Sequence, residues 1–286
     1  MTFSIVAYDP TEQAWGVAVA SKFIAVGAVV SWARAGSGAV ATQSYCKVSF
    51  GVDGLALMGA GKSASDTLAQ LLAADDGRDL RQVGIVDVSG GAAAHTGSAC
   101  YAWAGHHIGE GFTCQGNILT GADVIGSMAA AYRAASGELA DRLMVALAAG
   151  DSAGGDKRGR QGAAVLVVKA NGGYGGDNDR YLDVRVDDDP NPMPKLASLV
   201  RAHHLFFGAP HPEDTVPITE ALARELQAMM VKGGYWKRDL DGIWGDDAKT
   251  AFDELIGSEN LEGRWQRDNA DQIDRVALDY LRERLQ

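Results

Sequence analysis

The sequence is poor in cysteine, proline and aromatic residues, and it has no long apolar run. Its 286 residues include three cysteines (Cys46, Cys100 and Cys114), an odd number without the CxxC spacing of a zinc site. They are expected to be free thiols in a reducing compartment, which argues against a disulfide framework. No stretch of about 18 apolar residues is present, which argues against a membrane-spanning helix.

The net charge and the lack of a targeting signal indicate which partners and which cell compartment to expect. The net charge of −11 argues against nucleic acid or an anionic membrane as a partner. The first residues lack the basic and apolar regions of a signal peptide, so a cytoplasmic location is expected. His95, His106 and His107 lack metal-ligand spacing with nearby acids, and no phosphate-binding glycine motif is present. We therefore expect no metal and no cofactor.

The uneven distribution of glycine and proline indicates a boundary between two domains. Of the 36 glycines, 30 lie in residues 1–210, and six of the seven prolines lie between Pro190 and Pro217. A proline-rich stretch suits a linker, because proline lacks a backbone donor and restricts the residue before it. The sequence therefore predicts a large domain over 1–210 and a small helical domain over 211–286.

Strands and helices occur in groups along the first region. A hairpin is expected around Asp9-Pro10, and the apolar run 16–20 reads as a strand buried on both faces. The other expected strands are 26–30, 39–43, 82–88, 92–96, 112–115, 163–169 and 181–186. The expected helices are 51–61, 63–74, 122–135, 138–149 and 193–207. This grouping favours an α+β fold with two stacked sheets and helices outside, not a doubly wound parallel sheet.

Thr2 is the most informative single residue. Cells usually trim a methionine that precedes so small a side chain, which would leave a hydroxyl and an α-amine on one residue. The reference pKa of that amine is near neutrality, so it can take the proton of the hydroxyl and generate a nucleophile. A threonine that begins a strand is also the ordinary start of many proteins, and retention of Met1 would block the amine.

Several segments together resemble a known bacterial family. They are Thr2-Phe3-Ser4-Ile5-Val6-Ala7, residues 16–23, 25–30 and 39–43, Gln115-Gly116-Asn117, residues 154–161 and residues 172–176. In this order they are similar to the domain of unknown function 1028 family, which is grouped with the N-terminal-nucleophile hydrolases. The resemblance covers nearly all of 1–210 and implies a four-layer αββα sandwich and hydrolysis of a small amide, without a substrate.

The C-terminal region resembles a peptidoglycan-binding domain that is sometimes attached to that family. The matching residues are Leu222, Leu226-Gln227, Gly234-Tyr235-Trp236, residues 241–247 and Thr250-Ala251. Leu222, Leu226 and Met229 share one helix face, and further helices are expected from about Asp246 and Ala270. Binding of cell wall is doubtful without an export signal, so a dimer contact or a lid over the hydrolase site is expected instead.

The resemblance also suggests catalytic residues beside Thr2. N-terminal-nucleophile enzymes of the proteasome type keep a cation near the nucleophile, and Lys22 or Arg34 could supply it here. Asn117 could donate to an oxyanion, although an Asx turn explains it equally well.

Two polar loops are the expected source of substrate contacts. Asp156 and Arg160 lie in the first loop, and Asp177 and Asn178 lie in the second, one strand later. Arg160 could bind a substrate carboxylate through its planar fork, and an ion-pair network with Asp177 or Asp179 is the alternative. Arg34 and Gln43 complete the expected substrate-binding set.

The sequence thus predicts an amidohydrolase that acts on a small amide or N-acyl compound through Thr2 after removal of Met1. Lys22 and Asn117 would assist, the partner would be a small-molecule substrate, and the chain would form a homodimer. The alternative is a non-catalytic protein that binds a small molecule or a cell-wall fragment on the same fold.

Overall fold

The computed structural model of the chain describes residues 2–208, 212–265 and 270–285. The chain divides into two compact units, Met1–Val200 and Arg201–Gln286. The first unit is a mixed structure of helices and antiparallel sheets, and the second is mainly helical. Among the described residues, no helix combines the length and apolar character needed to cross a membrane.

A six-stranded antiparallel sheet forms the centre of the first unit. Its strands, in spatial order, are β10 (Arg180–Val186), β9 (Gly162–Lys169), β2 (Ala14–Ser21), β1 (Thr2–Asp9), β8 (Phe112–Asn117) and β7 (Gly105–Gly109). Strands β1 and β2 form the hairpin expected around Asp9-Pro10. Strand β1 therefore lies inside the sheet, between β2 and β8.

A second, four-stranded antiparallel sheet faces the first. Its order is β3 (Ser31–Arg34), β4 (Gly38–Ser44), β5 (Arg81–Asp87) and β6 (Ala92–Thr96). Between the sheets, Val6, Val19, Ala39 and Val86 belong to one buried apolar cluster. The small alanines among these strands allow two sheets to approach closely.

Helices cover the outer face of each sheet. The helices α4 (Asp123–Ala134), α5 (Leu139–Ser152) and α6 (Pro192–Phe207) contribute to a core with the six-stranded sheet. The helices α2 (Ser49–Gly59) and α3 (Ala64–Ala73) pack with the four-stranded sheet in a separate core. Side-chain direction alternates along each strand, so every strand residue faces either the helices or the opposite sheet.

The expected strand over 26–30 is wrong. Val26–Val30 is a short helix, α1, and the strand begins after it at Ser31. The segment links the two sheets, and Val26 and Val30 both enter the cluster between them. These residues are four apart, so one helical turn directs both inward, and this tertiary packing overrides the strand preference of valine.

Most other expected elements are confirmed within a few residues. Ser63 caps α3 as expected, and its hydroxyl accepts a hydrogen bond from the backbone amide of Asp66. The short edge strands β3 and β7 were not expected from the sequence, because neither shows a clear alternation of apolar and polar residues.

The second unit is built on α7 (Glu220–Gly233), α8 (Asp246–Ser258) and α9 (Arg275–Arg284). Leu222, Leu226 and Met229 of α7 enter its core as expected. The unit is not purely helical, because β11 (Thr215–Pro217) pairs with β12 (Gln272–Asp274). The last helix therefore begins at Arg275, five residues later than expected, after this short strand and a cap by Asp274.

A candidate active site at the start of the first strand

Thr2 lies at the beginning of β1, and 7% of it is exposed. Its hydroxyl oxygen is 3.1 Å from that of Ser21, the last residue of β2. On its other side, Thr2 is in register with Asn117, the last residue of β8. Alternation sends Phe3 into the helix-side core, so Thr2 and Ser4 face the opposite sheet. Met1 lies outside the described residues, so its removal stays a prediction.

A group of buried amides lies against Thr2 between the sheets. Gln43 Nε2, from the four-stranded sheet, donates to the carbonyl oxygen of Thr2 at 3.3 Å. The same nitrogen lies 2.9 Å from Gln82 Oε1, and Asn117 Nδ2 donates to that oxygen at 2.9 Å. Gln43, Gln82 and Asn117 are each at most 1% exposed. We call these three residues the amide cluster; it joins both sheets at the end where Thr2 lies.

Buried polar contacts continue along β1 at Ser4, two residues after Thr2 on the same face of the strand. Ser4 donates its hydroxyl to Gln43 Oε1 at 2.7 Å, and Gln115 Nε2 donates to the Ser4 hydroxyl oxygen at 2.7 Å. Gln115 thus contacts Ser4, and its side chain is one step removed from Thr2. At this end, polar groups replace the apolar packing that fills the rest of the space between the sheets.

The amide cluster offers no ionisable group. Within the described residues, the atoms hydrogen-bonded to the side chains of Gln43, Gln82 and Asn117 belong to amides, hydroxyls and backbone carbonyls. Such groups hold dipoles in place but cannot accept a proton near neutral pH. A base for a reaction at Thr2 would therefore have to come from elsewhere.

Lys22 lies next to Ser21, but its ammonium group is exposed. Lys22 Nζ donates to the carbonyl oxygen of Arg160 at 3.3 Å. Its backbone amide donates to Asp156 Oδ2 at 2.7 Å, and the amide of Arg158 donates to Asp156 Oδ1 at 2.8 Å. The buried carboxylate of Asp156 therefore ties the loop 154–161 to the end of β2. These contacts position the loop, and substrate binding by Asp156 stays a prediction.

Arg160 lies on the other face of the six-stranded sheet. Its Nε donates to Asp151 Oδ1 at 2.7 Å, and this carboxylate raises the pKa of the guanidinium. Both side chains line a cavity of about 10 Å³, together with Phe3 and Met193. That volume holds about one water molecule. Phe3 belongs to the core on the helix side, so the Arg160–Asp151 pair lies on that side of the sheet. Ser21, the neighbour of Thr2, lines the same cavity.

Three of the expected site residues lie far from Thr2. Arg34 is in register with Gly38, at the opposite end of β4 from Gln43. The two ends of β4 are about 17 Å apart at the usual rise per strand residue.

Asp177 and Asn178 lie in the loop that follows Lys169, the last residue of β9. Lys169 is in register with Ala14 at the start of β2, and not with Ser21 at its end. Two polar loops at the two ends of one strand cannot share a site. The structure thus does not bring Arg34, Asp177 or Asn178 to Thr2.

Ile118, at the end of β8, connects two loops through backbone hydrogen bonds. Ile118 directly follows Asn117 and has a positive φ of 52°. Its amide donates to the carbonyl oxygen of Tyr101 at 2.9 Å, and its carbonyl accepts from the Lys157 amide at 3.3 Å. The hydroxyl of Tyr101 is 3.1 Å from that of Tyr45, just beyond β4. The two tyrosines, about half exposed, therefore bridge the ends of both sheets beside the amide cluster.

Comparisons with known proteins agree with this architecture. Residues 2–196 match the family described as "Family of unknown function (DUF1028)". The chain belongs to the DUF1028 family. Its fold is similar to the crystal structure of protein SPO2555 from Silicibacter pomeroyi, a DUF1028 protein, with 31% identity and a TM-score of 0.65. The similarity covers 71% of this chain and 86% of that one. No curated protein matches.

The region after the DUF1028 domain matches a second family. Residues 206–281 match the family described as "Putative peptidoglycan binding domain". Both family resemblances expected from the sequence are thus confirmed.

Sequence reasoning missed Ser21, Gln82 and Tyr101 of the DUF1028 domain. One signal was available: Thr113, Gln115 and Asn117 alternate along a strand whose every residue is buried. A period of two in polar residues within a buried strand indicates a polar face between two sheets. Nothing local in the sequence places Gln82 on the facing strand, because that contact joins residues 35 positions apart.

Proposed function

We propose that the DUF1028 domain hydrolyses a small amide or N-acyl compound, with Thr2 as its N-terminal nucleophile after removal of Met1. The observation that carries this proposal is the placement of Thr2. It begins a central strand, its hydroxyl lies beside that of Ser21, and the amide cluster contacts its backbone. A side chain held in this way is preorganised, as a nucleophile requires.

The arrangement of layers supports the same proposal. Helices pack on the outside of two facing antiparallel sheets, and the first strand lies in the middle of the larger sheet. We assign this arrangement to the αββα sandwich of N-terminal-nucleophile hydrolases. In that assignment, Thr2 lies at the end of the two sheets, and removal of Met1 would expose its amine.

The proposed chemistry uses one residue as nucleophile and base. The α-amine of Thr2 takes the hydroxyl proton while Oγ1 attacks the amide carbonyl carbon and forms a tetrahedral oxyanion. Collapse of this intermediate breaks the C–N bond, and the ammonium returns its proton to the leaving amine. Water then hydrolyses the ester on Oγ1 with the same amine as base. The amine suits this role because it belongs to the same residue as the hydroxyl and has a reference pKa near neutrality.

Asn117 is the side chain that we assign to the oxyanion. Its Nδ2 group has two hydrogens, and Gln82 accepts one of them. A single well-placed donor in such a site is worth about 10²–10³-fold in rate. We assign no step to Lys22, because its ammonium group contacts the Arg160 carbonyl.

Intact mass is the first test of this proposal. A protein purified from its native host should lack the mass of methionine, which would expose the amine of Thr2. Retention of Met1 in all molecules would contradict the mechanism, because the amine would stay in a peptide bond. That result would favour the alternative, a non-catalytic protein that binds a small molecule or a cell-wall fragment on the same fold.

Substitution at Thr2 is the second test. Thr2→Ala should lower hydrolysis of small N-acyl amino acids and ureides by about 10³-fold or more, because the nucleophile is lost. Thr2→Ser retains a hydroxyl and an amine and is the matched control, which should keep measurable turnover. Thermal unfolding of each variant checks that the fold is intact. Full activity of Thr2→Ala would rule out the mechanism.

A further inference from the structure

Gln82 is the centre of the amide cluster, although it does not touch Thr2. Its Oε1 is 2.9 Å from Gln43 Nε2 and 2.9 Å from Asn117 Nδ2. Its Nε2 donates to the carbonyl oxygen of Gly116 at 2.7 Å, and it is 2.9 Å from the hydroxyl of Thr96. The side chain therefore connects β5 and β6 of one sheet with β8 of the other.

These contacts determine the orientation of the Gln82 amide. Two nitrogen donors converge on its oxygen, and a backbone carbonyl accepts from its nitrogen. If the amide were reversed, its N–H groups would face the N–H groups of Gln43 and Asn117. Asn117 Nδ2 would lose its acceptor, and Gln43 Nε2 would keep only the carbonyl oxygens of Thr2 and Gln115. Leaving a buried donor without a partner is strongly unfavourable, so one orientation is selected.

The orientation of Gln82 in turn orients Asn117. One hydrogen of Asn117 Nδ2 is directed at Gln82 Oε1, and the planar geometry of the amide then determines the direction of the second. Among the described residues, that nitrogen has no other acceptor. Asn117 is in register with Thr2 across the β1–β8 pair, so this second hydrogen lies at the same end of the sheet as the nucleophile.

We propose that Gln82 is a positioning residue that directs the free N–H of Asn117 toward the oxyanion formed at Thr2. The inference rests on the proposed hydrolase function. Gln82 itself is completely buried and cannot reach a substrate. Its effect is therefore expected in the rate of acylation, and the affinity for a substrate should change little.

Acylation by 4-nitrophenyl acetate tests this inference without a known substrate. Protein with an exposed Thr2 should release nitrophenolate and gain one acetyl group, and Thr2→Ala gives the background reaction. Gln82→Met keeps the volume of the side chain but removes its hydrogen bonds. We expect its maximal Thr2-dependent acylation rate to fall about 10–100-fold, with the half-saturating concentration within about twofold of wild type.

Gln115→Met is the matched control. Gln115 is also a fully buried amide between the sheets, but its side chain contacts Ser4 and neither Asn117 nor Gln82. It should lose thermal stability, although less than Gln82→Met because only its nitrogen is hydrogen-bonded, and keep an acylation rate within about threefold of wild type. Where Gln82→Met does not fold, Gln82→Asn replaces it, because an amide shortened by one methylene no longer reaches Asn117.

The two hypotheses fail in different ways. Thr2-dependent acylation that is equally fast in wild type and in folded Gln82→Met or Gln82→Asn overturns the role of Gln82 alone. An equal loss of rate in Gln115→Met also overturns it, because the effect would then follow from any buried amide. No acylation above the Thr2→Ala background in wild type overturns the proposed function, and the inference with it.

Discussion

At the scale of single residues, the two sheets approach each other closely at Gly84. A Cβ atom on this residue would lie 2.1 Å from Gln115 Oε1 and 2.5 Å from Thr113 Oγ1. Distances this short are repulsive, so the two side chains would have to move. Both of these atoms are buried, and neither has a hydrogen-bond partner in the described part of the chain.

Gly84→Ala should therefore destabilise the fold. We expect a loss of about 1–3 kcal/mol in the free energy of unfolding, the usual cost of forcing atoms into a packed interior. Gly126→Ala on α4 is the control, because a Cβ there meets nothing within 4 Å. Alanine in a helix is favoured over glycine by about 0.5–1 kcal/mol, so this variant should be more stable. Urea denaturation measures both, and shifts of the same sign would contradict this account.

At the scale of elements, Asp75 connects three parts of the four-stranded layer. It follows α3, and its carboxylate lies 2.8 Å from Arg81 Nε of β5 and 3.0 Å from Lys47 Nζ in the segment after β4. The hydrogen bond from Arg81 and that from Lys47 lower the pKa of Asp75 to about 2, against the effect of desolvation. The carboxylate is therefore ionised in the folded protein at any ordinary pH.

This pKa predicts the pH dependence of Asp75→Asn. The folded-state pKa lies below the ordinary value, so the stabilisation is present above about pH 4 and is lost as the pH falls toward 2. The variant should be less stable than wild type by about 1–3 kcal/mol at pH 7, since charge-assisted hydrogen bonds are lost. That difference should shrink between about pH 4 and pH 2. Denaturation at several pH values measures it, and a constant difference would argue against the ionised pair.

The elements also show where sequence reasoning succeeds. Ser63 caps α3, and the hairpin reverses after Asp9, because both features depend on residues within a few positions of each other. The prediction of a strand over 26–30 was wrong because Val26 and Val30 pack between two sheets that the local sequence does not specify. The prediction that the two polar loops share one site was wrong for a similar reason. The sequence identifies both as loops, but only the strand register places them at opposite ends of β9.

At the scale of the whole molecule, the tryptophans of the C-terminal unit serve its packing. Trp236 and Trp265 are 8% and 4% exposed and belong to its core. The indole nitrogen of Trp244 donates to the carbonyl oxygen of Ala270 at 2.6 Å, and that side chain packs with Phe252. Sugar rings usually stack on exposed aromatic faces, and these tryptophans support the fold instead.

The full chain should therefore bind muropeptides weakly. We expect no heat of binding in isothermal titration at micromolar protein, where a Kd near 1 μM corresponds to about −8 kcal/mol. A Kd tighter than that would show that the unit binds cell-wall fragments through polar contacts. The same samples allow light scattering, and a mass twice that of the chain would bear out the homodimer, which stays a prediction.

The sequence by itself determined the secondary structure in most segments, the caps and turns, and membership of the two families, because these depend on neighbouring residues or on ordered motifs. It also pointed to Thr2 as the candidate nucleophile. Only the tertiary structure brought Gln43, Gln82 and Asn117 together at that residue. It also excluded Arg34, Asp177 and Asn178 from the same end. The physical reason is that strand register and sheet stacking, not sequence separation, decide which buried amides can share a hydrogen bond.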